Sequence, residues 1–586
     1  MRNRRDIFKF AGGAVAGAFF TPAPWRLLTD TALWSENWPG IPRPARGEIR
    51  SKFTNCALCP AGCAVRARCV GDQPVSLAGV GGGLCPFGLT AHHLPYHPAR
   101  LRQGRIQEAT AAVFQSAAQR APNAIAVLDL NPGRTVSWTY RRAMASLKGL
   151  YLAPESHPVA YDLSAAKTIL SIGAPLLHAW GTPANVLAAR PNFRLIQAEA
   201  VESRTAMLAD EWIRIAPGTE SAFAQSIPSL TYAKDISLVL GDAPEIPEIN
   251  RQLGAYGKTV FARPEAPVPE SWIKNAAAVT ELAAVPDHSI SLLLIDESSA
   301  VSYIPWHQIQ RKLVRENPLV VTFAVTRGGY ARYARYALPT AVYPELLDDI
   351  APAMDSIHPT FRISVPLVPP PAGVANPADF VAALAGLSVA TALRERADAV
   401  HHTAQGAVLT YADAKETPLK DLTADAFWKS LSDGARWDRP PGLSTTKEVG
   451  HASSGRASSL VGHALACQPA AGRPSSSPEP PESSADFPLV AIREPYTPAL
   501  VSPLMTKLYQ ESNLRLAPNR VALNPTDARA ANLSSGARAI LQTHIGKCAV
   551  EVTVDPAVPP GAVQVGCSPG IQDVCGLSSR AKVVRA

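Results

Sequence analysis

The spacing of the first cysteines constrains the fold of this chain more than any other feature. Residues 56–63 read Cys-Ala-Leu-Cys-Pro-Ala-Gly-Cys, and another cysteine follows in the segment 81–88, Gly-Gly-Gly-Leu-Cys-Pro-Phe-Gly. A regular helix or strand cannot point three side chains at this spacing into one small space, whereas a tight loop with Pro60 and Gly62 can. The three glycines before the last cysteine would let the returning chain approach closely. The candidate ligands of one site are therefore Cys56, Cys59, Cys63 and Cys85.

Four thiolates in one loop are the donor set of a [4Fe–4S] cluster. A structural zinc site also uses four thiolates, usually on two Cys-x-x-Cys knuckles, and the second knuckle is absent here. A local disulfide network and a chance grouping of cysteines are the other readings. The chain has nine cysteines in 586 residues, too few for a disulfide scaffold, and Cys69 is expected in a strand. The remaining cysteines are scattered at Cys467, Cys548, Cys567 and Cys575.

The N-terminal residues 1–32 are interpreted as a targeting segment. Arg4 and Arg5 precede Ile7, Phe8 and a short apolar run rich in Gly and Ala. This order resembles a twin-arginine export signal, and the run is too short to span a bilayer. A basic start before a short buried helix is the alternative. We expect export in the folded state and a location in the periplasm or on the outer face of the cytoplasmic membrane, with peripheral attachment.

After residue 105 the chain alternates short apolar runs with helical stretches, as buried parallel strands with crossover helices do. One or two doubly wound α/β domains are therefore expected. No Gly-x-Gly-x-x-Gly follows any run, which gives a dinucleotide fingerprint of the NAD or FAD type little support. The predicted strands are Ile125–Leu130, Thr168–Ile172, Arg194–Gln197, Ile236–Leu240, Thr259–Ala262, Ser291–Ile295 and Val320–Val325.

Two compositional features complete the outline. Residues 435–487 are rich in Pro, Ser, Gly and Ala, a composition that cannot bury enough apolar surface to fold, so they are predicted to be a linker. The last hundred residues have short alternating runs with Gly and Pro turns, which suggest a small barrel. The net charge of +8 is scattered rather than gathered into a stripe, which argues against a nucleic-acid partner.

A family resemblance joins these features. The pattern Cys-x₂-Cys-x₃-Cys, then Cys-Pro-x-Gly at 85–88, then His-Pro-Ala-Arg-Leu at 97–101, resembles the N-terminal cluster domain of the molybdopterin oxidoreductases. In particular it is similar to the molybdenum-free molybdopterin-like subunits of menaquinone reductase and alternative complex III. The resemblance implies an α/β protein with an N-terminal [4Fe–4S] domain, doubly wound α/β domains of this type and a C-terminal double-psi β-barrel-like domain.

The same resemblance extends to a pterin dinucleotide. The segment 194–220 resembles the part of the family that holds one guanine dinucleotide arm, with acids at a strand end and in a glycine turn. Asn-Pro-x-Asp-Ala at 524–528 and Pro-Gly-x-Val at 560–563 resemble the family's dinucleotide-binding barrel. Ordinary surface acids are the alternative reading of the two glutamates. The implied contacts are Glu199, Thr205, Glu220, Asn524 and Asp527.

Three departures from the family argue against bound molybdenum, although molybdopterin guanine dinucleotide stays a candidate cofactor. Active relatives commonly carry Lys or Arg two residues after the fourth cysteine, where this chain has Phe87. The stretch 131–140, which corresponds to the metal-ligand loop, has no cysteine, and Ser137 is its nearest candidate. The chain and the gap from Cys63 to Cys85 are also short. No catalytic residue is assigned.

The expected domains are a signal region at 1–32, a [4Fe–4S] domain at 50–105, an α/β region at 106–434, a linker at 435–487 and a barrel at 488–586. The leading hypothesis is an oxidoreductase subunit that relays electrons in a membrane-attached, quinone-linked complex. The resemblance implies two partners, a ferredoxin-like iron–sulfur subunit and an integral membrane quinone-interacting subunit. The alternatives are an active molybdenum bis-pterin enzyme acting on a small substrate, and a zinc-stabilised exported binding protein.

Overall fold

The computed structural model describes residues 47–439, 486–493 and 519–586, with short gaps at 98–99, 120–122, 155–157, 230–232, 567 and 576–578. Apart from Gly12, Gly13 and Gly17, the predicted signal region lies outside the described residues. Most of the predicted linker, Cys467 and Cys567 also lie outside them.

The N-terminal part is a three-stranded antiparallel sheet followed by short helices. Its strands are β1 (Ile49–Asn55), β2 (Ala64–Val70) and β3 (Gln73–Gly79). Helical turns follow at Val80–Gly82, Pro86–Thr90 and Ala91–Tyr96. Cys69 lies fully buried in β2, which confirms its expected place in a strand. The loop between β1 and β2 carries the first three candidate ligands.

Two parallel sheets form the middle of the chain. The larger has the order β12-β5-β4-β13-β14-β15 and the smaller β10-β7-β8-β9, with every neighbouring pair parallel. The smaller sheet is built from the chain between β5 and β12, so it is an insertion into the larger one. The strands are β4 (Ile125–Asp129), β5 (Leu150–Leu152), β6 (Val159–Tyr161), β7 (Thr168–Ile172), β8 (Arg194–Glu199), β9 (Glu211–Arg214), β10 (Leu238–Gly241), β11 (Val260–Ala262), β12 (Val279–Thr280), β13 (Leu292–Asp296), β14 (Leu319–Ala324) and β15 (Tyr336–Pro339).

The predicted strands coincide with observed ones to within a few residues, and the apolar runs at β4, β7, β13 and β14 are fully buried. One prediction was wrong in kind. The run Thr259–Ala262 was expected in a parallel sheet, but β11 pairs antiparallel with β6 in a separate ribbon. The helices of this region are Ile106–Gln119, Thr135–Leu147, Pro183–Ala189, Arg204–Leu208, Glu220–Ser226, Ile246–Gln252, Glu270–Lys274 and Trp306–Lys312, with a π-helical turn at Leu176–Trp180.

An antiparallel sheet of order β16-β17-β20-β18-β19 follows. Its strands are β16 (Asp348–Asp349), β17 (Thr360–Ser364), β18 (Ala407–Thr410), β19 (Glu416–Pro418) and β20 (Ala435–Asp438), and its helices are Pro377–Leu384, Val389–His402 and Ala424–Ser432. The predicted linker therefore begins too early, because residues 435–438 form β20 and Trp437 is fully buried. In the part of the chain that the structure describes, no single helix is long and apolar enough to cross a membrane; Pro377–Leu384 and Val389–His402 pass that test only as a pair, bent by 94°.

The C-terminal part is a closed six-stranded barrel of order β21-β25-β22-β24-β23-β26. Its strands are β21 (Leu489–Arg493), β22 (Arg520–Leu523), β23 (Arg538–Gln542), β24 (Lys547–Val554), β25 (Ala562–Val565) and β26 (Arg580–Arg585), with helices Pro525–Ala530 and Pro569–Gln572. Asp573 fixes the barrel to the larger sheet, since its carboxylate accepts from the Tyr303 hydroxyl at 2.8 Å and the Tyr333 hydroxyl at 2.6 Å. The predicted C-terminal barrel is thus confirmed.

Candidate iron–sulfur centre

The loop after β1 folds back on itself and brings three cysteines together. The Cys56 amide donates to the Cys63 carbonyl at 2.8 Å, and Gly62 has a φ of +54°, which favours glycine in the turn. Cys85 approaches as the N-cap of the helix Pro86–Thr90, where the Gly88 amide donates to its Sγ at 3.4 Å. Cys56, Cys59 and Cys63 are buried and Cys85 is partly buried.

Each of these thiols lies close enough to affect the others electrostatically. Burial raises the pKa of Cys56 well above its ordinary value, and Cys63, Cys59 and Cys85 raise it further. Burial also raises the pKa of Cys63 to about 12, with Cys85 adding to the effect and Arg362 opposing it. Four buried thiolates this near to one another are unfavourable by themselves. They become favourable where a cationic inorganic core neutralises them.

The loop is held against two other parts of the chain. The Thr182 hydroxyl, after β7, donates to the Ala61 carbonyl at 2.9 Å. A Cβ added at Gly83 would lie 2.3 Å from the Ala184 amide, so the close approach expected of this glycine is present. The Arg362 guanidinium, from β17, donates to the Pro60 carbonyl at 3.1 Å. The turn is therefore positioned from both the inserted sheet and the antiparallel sheet.

Two buried polar atoms beside the cysteines test whether the site fits a cluster. The Tyr343 hydroxyl is buried in the same apolar core as Cys56, Cys59 and Cys63, and it has no hydrogen-bond partner among the described residues. The Arg362 Nε is likewise buried without a partner in the described part of the chain. Buried donors are normally paired. Cluster sulfurs are acceptors that such donors can serve, so the residues present fit the group.

A disulfide network and a zinc site are the two alternatives to a cluster at these cysteines. Cys56, Cys59, Cys63, Cys69 and Cys85 are free thiols, so no disulfide joins any two of them. No group of three or more His, Cys, Asp or Glu side chains in the described ranges has the geometry to hold a single metal ion. That result concerns a single ion, whereas a cuboidal cluster holds its thiolates farther apart.

Three of the predicted dinucleotide contacts lie at one edge of the smaller sheet. Glu199 ends β8, where its carboxylate accepts from the Ser203 amide at 2.7 Å and the Gln197 amide group at 2.8 Å. Glu220 follows the neighbouring strand β9 and accepts from the Gly218 amide at 3.3 Å. The Thr205 hydroxyl is buried without a partner among the described residues. Carboxyl ends of parallel strands are the usual place for such ligands.

The other two predicted contacts lie in the barrel and bond to one loop. The Asn524 side-chain amide donates to the Val558 carbonyl at 2.8 Å, and Asn524 also caps the helix Pro525–Ala530. Asp527 accepts from the Gly561 amide at 2.8 Å. The two motifs recognised in the sequence are therefore hydrogen-bonded to each other. Both residues have structural partners, and their role toward a dinucleotide stays a prediction.

The loop after β4, which was compared with the metal-ligand loop of active relatives, is filled by a buried ionic network. Arg134 forms ion pairs with Asp348, with Asp129 at 3.6 Å and with Asp296 at 3.8 Å. The Ser137 hydroxyl donates to Asp129 at 2.6 Å and accepts from the Arg134 amide at 3.3 Å. Ser137 is thus fully engaged within the loop, as a structural residue.

Comparisons with known proteins agree with this architecture. Residues 504–578, which include most of the described barrel, match the molydopterin dinucleotide binding domain. The chain is 30% identical over 272 residues to the menaquinone reductase molybdopterin-binding-like subunit of Nitratidesulfovibrio vulgaris, an alignment covering 39% of each protein. Its fold is similar to that of acetylene hydratase from Pelobacter acetylenicus, with a TM-score of 0.63 and 14% identity over 91% of this chain and 100% of the other. The matched domain and the relative support the resemblance to the molybdopterin oxidoreductases, and the solved structure shows the same fold.

The alignment spans 39% of the curated relative, well under two thirds of its length. The matched domain supports the resemblance drawn from the barrel motifs, and it is a domain type that binds a molybdopterin dinucleotide.

Sequence reasoning missed three polar or charged neighbours of the four cysteines. Arg362, Tyr343 and Arg204 come from distant elements, and Arg204 lowers the pKa of Cys85 against a larger rise caused by burial. The only sequence signal was an arginine within the apolar run Phe-Arg-Ile of β17, where a solvated charge is not expected.

Proposed function

We propose that this chain is an exported iron–sulfur oxidoreductase subunit that relays electrons within a membrane-attached, quinone-linked respiratory complex. The observation that carries the proposal is the group of four cysteines with Tyr343 and Arg362 beside them, both of which have a buried donor without a partner in the described residues. The relationship to a menaquinone reductase subunit supports the quinone-linked setting.

Cys56, Cys59, Cys63 and Cys85 would hold the cluster, which when bound supplies a one-electron carrier. The chain's own part is to position the four thiolates and to exclude water. The apolar core containing Val65, Leu94 and Tyr343 lowers the local dielectric around the thiols. Glu199, Thr205, Glu220, Asn524 and Asp527 would contact a pterin dinucleotide if one binds.

Metal analysis of protein purified without oxygen tests this proposal. We expect roughly four iron atoms per chain and a brown colour that dithionite bleaches. Cys59→Ser should lose most of the iron, while Cys69→Ser, the same change at a buried cysteine in the adjoining strand β2, should retain it. Iron-free wild-type protein, or equal iron in both variants, would reject the ligand assignment. Zinc in place of iron would instead favour the zinc-stabilised binding protein.

A second measurement separates the electron relay from an active molybdenum enzyme. The buried network around Arg134 and Ser137 favours the relay, because it uses the side chains that could otherwise reach a metal. We expect pterin and molybdenum analysis of the same preparation to give less than one molybdenum per ten chains. Stoichiometric molybdenum would favour the enzyme.

Export and partners are part of the same proposal. Residues 1–32, fused to a folded reporter, should direct it out of the cytoplasm, and replacement of Arg4 and Arg5 by Lys should stop this while keeping the charge. We also expect the chain to purify from washed membranes with a ferredoxin-like subunit and an integral membrane subunit. Recovery of the chain alone from gently solubilised membranes would contradict the complex.

A further inference from the structure

We propose that Arg362 and Tyr343 set the reduction potential of the cluster, Arg362 as a fixed cation and Tyr343 as a neutral hydroxyl donor. The inference rests on the proposed function, because it requires a cluster on the four cysteines. It concerns two positioning residues that lie far from the ligands in sequence.

Arg362 is fixed against the ligand loop. Its side chain is buried, and Nη2 donates to the Pro60 carbonyl between two of the candidate ligands. A Cβ at Gly62 would lie 2.4 Å from the Arg362 Cζ, so only glycine at this position leaves room for the guanidinium against the turn. Its charge opposes the effect of burial on both Cys59 and Cys63. Asp355 acts on Cys63 in the opposite sense, so the effect of Arg362 is partly offset there.

Tyr343 approaches the cysteines from another side. Only 4% of its surface is exposed, and its ring packs in the same apolar core as three of the candidate ligands. Burial raises the pKa of its phenol, and Cys56 and Cys63 raise it further. A buried hydroxyl without a partner costs roughly 1–3 kcal/mol. A cluster sulfur would supply the missing acceptor.

These two groups compensate for the residue at position 87. Family members commonly have a cation two residues after the fourth cysteine, and here the side chain is a partly buried phenyl ring. Reduction adds one negative charge to the cluster, and a nearby cation or O–H donor stabilises that charge. Arg362 therefore supplies from β17 the positive charge that position 87 does not.

The experiment is a redox titration of the purified holoprotein followed by electron paramagnetic resonance, with dithionite as the one-electron reductant. Arg362→Gln should reduce the ratio of reduced to oxidised cluster at a fixed potential about tenfold, a fall of about 59 mV in midpoint for one electron. Tyr343→Phe should reduce the ratio by a factor of roughly three. Arg436→Gln is the matched control, since Arg436 lies opposite Arg362 in the neighbouring strand and pairs with Asp438 at 2.7 Å.

The outcomes separate this inference from the proposed function. Wild-type protein without iron overturns the proposed function itself. Full iron with an unchanged potential in both Arg362→Gln and Tyr343→Phe overturns only the inference. If Arg362→Gln loses its iron, Tyr343→Phe decides alone, because it deletes one oxygen that has no partner among the described residues. A lower midpoint potential in Tyr343→Phe supports the proposal, and an unchanged midpoint potential in this variant overturns it.

Discussion

The cysteine loop and the loop after β4 are both buried and polar, but they differ in how far their groups are satisfied. Asp129 accepts from the Asn131 amide, the Ser137 hydroxyl and the Tyr151 hydroxyl. Beside the cysteine loop, the Tyr343 hydroxyl and Arg362 Nε have no partner among the described residues, and the thiols raise each other's pKa. Arg134 Nη2 also lacks a hydrogen bond, but it lies 3.6 Å from Asp129 and 3.8 Å from Asp296, so its charge is balanced within the network. The Tyr343 hydroxyl has no such counterpart, which leaves the cysteine site open to another group.

The largest expected effect breaks the network after β4. Arg134→Met should leave three buried carboxylates without their shared cation and lower stability by about 3–5 kcal/mol. Thermal unfolding would measure this. Arg394→Gln, which removes ion pairs with the more exposed Asp398 and Asp425, should cost less than about 1 kcal/mol. An equal loss of stability in the two variants would mean that the buried network stabilises the fold no more than an exposed ion pair does.

The pH dependence of stability tests a further buried carboxyl, which lies next to the network after β4. Burial raises the pKa of Glu297, at the end of β13, to about 8. The folded chain therefore holds a proton there that the unfolded chain has lost, so stability should fall as the pH rises from about 4.5 to 8. Glu297→Gln should remove this dependence and be more stable than wild type at pH 9, where the folded wild-type chain no longer keeps its extra proton. Parallel unfolding curves for the two proteins across that range would contradict the raised pKa.

A pair of glycine variants tests how tightly the cysteine loop is built. Gly62→Ala should lower stability by roughly 2–3 kcal/mol and reduce bound iron, because the added Cβ meets the Arg362 guanidinium. Gly81→Ala has a similar positive φ but nothing within 4 Å of the added Cβ, so only the backbone cost of about 1 kcal/mol should remain. The iron content per chain and the unfolding midpoint should be measured for both variants. Equal iron content in the two variants would mean that contact between Arg362 and the loop does not affect iron binding.

The smallest effect is expected in the barrel. Asn524→Ala removes a helix cap and the bond to Val558, which should cost about 1 kcal/mol. Bound iron should not change, since the bonds that Asn524 makes to Val558 and to its own helix lie within the barrel. Loss of iron in this variant would show that the barrel and the cysteine loop depend on each other.

Much of the fold could be predicted from sequence because its signals are local. The continuous apolar runs of β7 and β13 correctly predicted two strands of the parallel sheets. The turns rich in glycine and proline indicated the barrel. The antiparallel ribbon of β11 was missed, since a short apolar run does not reveal the direction of its partner. Trp437 ended up in a strand although the neighbouring composition suggested a linker.

The candidate site divides in the same way. Cys56, Cys59 and Cys63 are close in sequence, so their grouping could be predicted from spacing. Arg362 and Tyr343 could not be found, because tertiary packing alone brings them to the loop. Ser137 was considered as a metal ligand on its position, and only the structure reveals that Asp129 uses its hydroxyl.

The bond from Arg362 to Pro60 joins positions 302 residues apart. During synthesis the cysteines emerge early, while the strand that covers their loop is made much later. We therefore expect the cysteine loop of a nascent chain to be accessible to iron donors until β17 folds over it. Iron should load quickly into chains refolding from denaturant and slowly into folded, iron-free protein. Equal loading rates would mean that β17 does not block access to the loop. Iron could then be inserted before or after β17 is synthesised and folded.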